Sequence, residues 1–311
     1  MKTFHSISEF SSTKKTVVTI GTFDGIHLGH KKILDKLTSE AKKRNEESVV
    51  ITFYPHPRFI LNEHTNLKLL NTIEEKIALL NSIGLDALII HPFNKEFANF
   101  SAEEFVKTLL VDQLNISKII IGHDHRFGKN RTADIHDLIQ FGAKYNFDVE
   151  QISVQELNEI AVSSTKIRTA LEVGNIKLTN NYLGYNYSFS GQVIAGKQLG
   201  RTIGFPTANI QIKESYKLIP KNGVYIVSCL VNNQTVNGIM NIGNRPTVNG
   251  TSQSIEVHLL NFDKDIYDSE ITVEMIDFIR DEQKFENLEA LKSQIEKDKL
   301  QAILFLKNTA L

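Results

Sequence analysis

The residues best suited to chemistry fall in Gly21-Thr22-Phe23-Asp24-Gly25-Ile26-His27-Leu28-Gly29-His30. A short apolar run, Val17–Ile20, precedes them, and a segment patterned as a helix follows from His30 to Arg44. In a parallel sheet, ligands bind beyond the carboxyl ends of the strands. A helix N-terminus placed there offers unpaired N–H groups and a partial positive charge to phosphate. Gly21, Gly25 and Gly29 permit a tight backbone and a close ligand. His27 and His30 are three apart and can face one cleft. A lone histidine would read as a core or surface imidazole. Two of them, with this glycine spacing, read as the nucleotide-phosphate site of an ATP-using enzyme. Neither Walker-type lysine spacing nor G-x-G-x-x-G is present.

A second set lies in the other half. Gly196, Gly200 and Gly204, with Lys197 and Arg201 between them, suit a loop that covers phosphates; a hairpin turn is the plain alternative. Pro206-Thr207-Ala208-Asn209 adds side-chain oxygens suited to a hard cation such as Mg²⁺. Glu256, on a strand-like run, is either a general base or a half-exposed strand carboxylate. His258 shares its face and reads as structural. Ser164 reads as the cap of a helix through about Val173.

The elements that must position these residues divide into two patterns. Val17–Ile20, Val49–Phe53, Ala87–Ile90 and Ile119–Ile121 read as buried strands, with helices at His30–Arg44, Glu74–Ser82 and from a Ser101–Glu104 capping box to about Leu114. That alternation predicts a parallel sheet covered by helices. After Leu183-Gly184 come short strands near 187–194, 207–212, 223–231, 234–242, 254–260 and 271–278, the pattern of a small antiparallel barrel. A terminal helix carries Leu288, Leu291, Ile295 and Ala302 on one face, a packing stripe. The expected domains are 1–184 and 185–311.

Composition narrows the class. The chain has 311 residues, 41% of them hydrophobic, and a net charge of -1, which argues against a general nucleic-acid binder. Its one cysteine, Cys229, excludes an intrachain disulfide and reads as a buried structural thiol. With no window of signal-peptide or membrane-span length, the expectation is a cytoplasmic protein without membrane or nucleic-acid partners.

The motifs also carry a resemblance. Phe23–His30 resembles the H-x-G-H signature of nucleotidyltransferases, and Val162-Ser163-Ser164-Thr165-Lys166-Ile167-Arg168 is similar to their I-S-S-T-x-I-R motif. Thr52-Phe53-Tyr54-Pro55-His56-Pro57 and Ile121–Gly128 resemble loops of bacterial FAD synthetases, with His125 in place of a usual Phe and Ala133 in place of a common Gly. Gly196–Asn209 resembles the G-x-x-x-G-R-x-x-G-F-P-T-A-N motif of riboflavin kinases. Asn241–Thr247, Ser254–Phe262 and Arg280–Phe285 match three further motifs of that family, Asn261 replacing an Asp.

The resemblance implies a bifunctional chain with two folds. A Rossmann-like parallel-sheet domain would adenylylate FMN to FAD, and an antiparallel β-barrel with a C-terminal helix would phosphorylate riboflavin to FMN. His27 and His30 would stabilise charge on the α-phosphate. Gly21, Phe23, Asp24, Gly29, Asp124, Ser164, Thr165 and Arg168 would bind nucleotide or flavin. In the barrel Glu256 would be the base, Thr207 and Asn209 would hold Mg²⁺, and Gly196, Lys197, Gly200, Arg201, Phe205, Pro206, Asn244 and Arg245 would line the site. ATP, riboflavin, FMN and FAD are the implied substrates and products, and a monomer or weak homo-oligomer the implied state. A kinase alone, a flavin-binding regulator and an aminoacyl-tRNA synthetase are the alternatives. Intact His27, His30, Arg168, Asn209 and Glu256 oppose the regulator, and the unexplained second half opposes the synthetase.

Overall fold

The computed structural model describes residues 1–62, 64–123, 125–153, 162–196, 199–247 and 250–309. Contacts divide the chain into two compact units, Met1–Ser164 and Thr165–Leu311.

The first unit is a six-stranded sheet of β1 (Lys2–Phe4), β2 (Thr16–Ile20), β3 (Glu47–Tyr54), β4 (Ala87–Pro92), β5 (Ile116–Ile121) and β6 (Asp148–Gln151) in the order β1-β4-β3-β2-β5-β6. Every pairing is parallel. All residues of β2 and β5 are buried, as strands covered on both faces must be. The two-residue period sorts them between two cores. Val18, Ile20, Val49 and Ile51 meet Val106 and Leu110 on one face; Val17, Val50 and Leu88 meet Leu34, Leu37 and Leu80 on the other. From β2 the chain builds outward through β3 and β4, then returns to place β5 on the opposite side of β2. That reversal leaves a crevice at the carboxyl end of β2, where Gly21 begins.

The second unit is a closed antiparallel barrel. Its strands are β7 (Ser188–Ile194), β8 (Ala208–Gln211), β9 (Gly223–Val231), β10 (Gln234–Thr247), β11 (Gly250–Leu259) and β12 (Glu270–Arg280), in the order β10-β11-β8-β7-β12-β9. Asn232 and Asn233 turn β9 into β10 with φ of 48° and 62°, the left-handed pair that a two-residue hairpin requires. Cys229 is buried in β9, and burial pushes its thiol up to about 12, as suits a structural residue.

The helix Leu288–Thr309 closes one side of the barrel. Ala302 packs on Ile226 and Ile239 with Ile295 beside them, while Leu288 of the expected stripe is exposed. Asp298, buried on this helix, takes a forked pair of bonds from Arg280.

The boundary at 164/165 precedes the expected one at 184 for a specific reason. The helices Ser164–Glu172 and Ile176–Leu183 bond into the barrel: the Asn180 amide donates to the Met275 carbonyl at 2.9 Å and accepts from the Tyr187 N–H at 2.8 Å. Lys221 N–H donates to the Leu171 carbonyl at 3.0 Å. Among the described residues no helix is long and apolar enough to cross a membrane.

Candidate active sites

After β2 the backbone turns through left-handed conformations at Phe23, Gly25 and Ile26, with φ of 45°, 88° and 37°. Such values are strained for Phe and for a β-branched Ile, and surrounding bonds must hold them. Asp24, buried, accepts the Leu70 N–H at 2.9 Å and the Asn71 N–H at 3.4 Å; the Asn71 amide oxygen accepts the Gly25 N–H at 2.9 Å. Ser164 Oγ donates to the Asp24 carbonyl at 2.9 Å. Ser164 is the first residue of its helix rather than the cap, and its hydroxyl is bonded to the turn. Gly21 gives room to the Phe23 ring, which a Cβ would meet at 3.1 Å.

His27 caps the helix Leu28–Arg44, its Nδ1 accepting the His30 N–H at 3.3 Å, and the two imidazoles stack with centroids 3.7 Å apart. That bond leaves Nδ1 of His27 unprotonated, so the neutral ring carries its proton on Nε2 and can donate it to a ligand. Burial pulls His27 down to about 4 and His30 well below its ordinary value, so both are neutral at pH 7. Among the described residues Nδ1 of His30 is buried without a hydrogen-bond partner. Gly29 is buried in the first turn of the same helix.

The structure therefore brings together Gly21, Phe23, Asp24, His27, Gly29, His30 and Ser164. Thr165, exposed, and Arg168, half-buried, follow on the helix Ser164–Glu172. Asp124 lies outside the described residues. Near it, Phe127 and Ala133 exchange backbone bonds at 3.1 and 3.2 Å, and Ala133 is buried. His125 stacks on Phe127, centroids 6.0 Å apart.

In the first unit Lys76 escaped the sequence reading. Lys76 is 5% exposed and its Nζ donates to the Thr22 carbonyl at 2.7 Å. The signal was a lysine on the face that Ile73, Ile77 and Leu80 make apolar.

In the barrel, register builds the site. Glu256 on β11 stands opposite Asn241 of β10 and Asn209 of β8. Thr207 Oγ1 donates to Glu256 Oε2 at 3.2 Å. His258, buried, donates from Nδ1 to the Pro206 carbonyl at 2.8 Å and meets the Phe205 ring edge-on. Gly196 lies against the Asn209 amide, which a Cβ would overlap, and Gly200 lies against the Phe205 carbonyl in the same way. Asn244 is exposed on β10, where Arg245 also lies. Lys197 and the Arg245 side chain lie outside the described residues.

Arg201, Pro206 and Thr207 border a cavity of about 330 Å³ completed by Phe262, Lys264 and Tyr267. Lys264 and Tyr267 the sequence reading did not single out; they follow the motif that carries Glu256 and ends at Phe262. Among the described residues no three His, Cys, Asp or Glu side chains converge as a metal site. Thr207 and Asn209 instead offer hard oxygens, which fit Mg²⁺, an ion that takes few protein ligands and completes its shell with phosphate and water.

Comparisons with known proteins agree with this division. The FAD synthetase family model matches residues 9–166 and the riboflavin kinase model residues 183–306. A bifunctional riboflavin kinase/FMN adenylyltransferase of Buchnera aphidicola subsp. Schizaphis graminum is 42% identical over 94% of this chain and 94% of its own. The protein of that name from Escherichia coli K12 is 38% identical over 96% and 95%. A Streptococcus pneumoniae structure solved under the name macrolide-efflux protein superposes with a TM-score of 0.86 at 28% identity, covering 96% of this chain and 97% of that one. With both halves matched in order and relatives this similar along nearly their whole length, the chain belongs to the bifunctional riboflavin kinase/FMN adenylyltransferase family.

Proposed function

We propose that the chain makes FMN from riboflavin and ATP in its barrel and FAD from FMN and ATP in its parallel-sheet unit. The observation that carries this is the presence, in one chain, of two built sites of different chemistry: the capped histidine pair after β2 and the Thr207–Glu256 pair on the barrel.

In the barrel, Glu256 takes the proton of the riboflavin 5′-hydroxyl as that oxygen bonds to the γ-phosphorus of ATP and ADP leaves. A positioned base contributes on the order of 10²–10⁴-fold. Thr207 orients the carboxylate by its bond to Oε2. The cavity beside Thr207 takes the nucleotide, with Arg201 at its edge. Thr207 and Asn209 would hold Mg²⁺, which when bound would offset the negative charge of the phosphates.

In the first unit, a phosphate oxygen of FMN bonds to the α-phosphorus of ATP as the bond to pyrophosphate breaks. No proton need move, so the protein supplies position and charge stabilisation. His27 donates from Nε2 to the charge that develops on the α-phosphate. The same reading places the chain in the cytoplasm, whose reducing conditions suit a lone thiol, as a monomer or weak homo-oligomer.

The test is direct. Purified protein given riboflavin and Mg-ATP should yield FMN and then FAD on chromatography, and chelation of Mg²⁺ should stop FMN formation. FMN without FAD would leave a kinase alone, and no turnover at all would leave a flavin-binding protein.

A further inference from the structure

Lys76 is used by neither half of that scheme, yet its position is costly. Lysine is almost never fully buried unless paired. Here the ammonium sits on the apolar face of the helix Ile73–Asn81, 5% exposed, with Nζ 2.7 Å from the Thr22 carbonyl. Thr22 precedes the strained residues Phe23 and Ile26. Thr52 Oγ1 donates to the same carbonyl at 3.3 Å, so two elements grip one peptide group. The Asp24 carboxylate acts on Lys76 from the turn, but its Oδ1 is already shared with two backbone N–H groups. The buried charge is therefore only partly compensated, and an incoming polyphosphate would complete the compensation.

We propose that Lys76 is a positioning residue for adenylyl transfer: its ammonium fixes the Thr22 carbonyl and holds positive charge beneath the turn that presents the histidine pair. The proposal rests on the reading that the first unit forms FAD.

Burial brings Lys76 down to about 8, with Asp24 opposing. The charge of Asp24 on the turn acts on Lys76, and that of Lys76 acts on His30, which stacks on His27. Both imidazoles are already neutral in that range. On its own helix, Glu75 is engaged in the cap with Thr72. Loss of the Lys76 proton is thus the event that should weaken the site on the alkaline side.

The experiment uses the full chain with FMN and Mg-ATP, following FAD formation from about pH 6.5 to 9.5. Wild type should lose kcat/KM for ATP as Lys76 deprotonates. Lys76→Gln keeps a donor for Thr22 but no charge; it should be roughly tenfold slower at pH 7 and lack the alkaline loss. Lys76→Met, without donor or charge, should be slower still, about 100-fold, the range of a charge-assisted bond. Lys76→Arg should recover most of the rate with the alkaline loss removed. Riboflavin phosphorylation by the same samples should stay within about twofold throughout, since Lys76 lies outside the barrel. Wild-type rates in Lys76→Gln, or an alkaline loss unchanged in Lys76→Gln, would overturn the proposal. Failure of wild type to form FAD at all would instead sink the assignment of the first unit.

Discussion

The two sites hold their reactive groups by different means. After β2 the chain turns through non-glycine residues of positive φ, and separate polar bonds from Asn71, Lys76 and Ser164, with those that Asp24 accepts, hold the turn in place. In the barrel, Glu256, Asn241 and Asn209 lie opposite one another because three strands are in register, and Thr207 and His258 add side-chain bonds. A braced turn is tunable, since each brace can be weakened separately. A registered strand is nearly all or none.

The sharpest break of this comparison is Glu256→Gln, which should lower riboflavin phosphorylation by about 10²–10⁴-fold and leave FAD formation from supplied FMN intact. His27→Ala with His30→Ala should do the opposite, costing FAD formation on the order of 10²–10³-fold or more while FMN formation persists. If either change removed both activities in a folded protein, the sites would not be separate.

Acid should also act through the histidine pair. His27 falls from 6.5 unfolded to about 4 folded, so the unfolded chain binds its proton first. The stability of the first unit is full above pH 6.5 and declines as pH falls towards 4, by up to roughly 3 kcal/mol from this residue. Thermal unfolding should show that decline in wild type and a shallower one in His27→Gln. The smallest effect tests close packing in the barrel: Gly196→Ala pushes a Cβ into the Asn209 amide and should cost about 1–3 kcal/mol, with slowed phosphorylation as Asn209 shifts. An unaffected kinase would mean that Asn209 has slack.

Much of this was legible because periodicity and motif are local. Val17–Ile20, the Ser101 capping box and the strand 223–231 appear where hydrophobic spacing and caps place them. Other features depend on contacts that sequence spacing does not carry. β1 is three residues long, too short to show a period, and exists by pairing with β4. The segment after Glu104 winds as a π-helix through Gln113, which the usual helical repeat does not anticipate. The helices of 164–183 read as the end of the first domain, yet Asn180 bonds them to the barrel. At the site, the histidines and Glu256 stood out by type and company. Lys76 did not, because a lysine in an amphipathic helix is assigned to solvent by default.

Closure of the barrel has a consequence for how such chains can diverge in length. The strand that carries Glu256 is bonded along both edges, to β10 and to β8. Side chains alternate between faces, so one inserted residue upstream within that strand would point Glu256 away from Thr207. The hairpin tip at Asn232-Asn233 carries no such constraint. Insertions and deletions can collect there, and the chemistry of the barrel survives them.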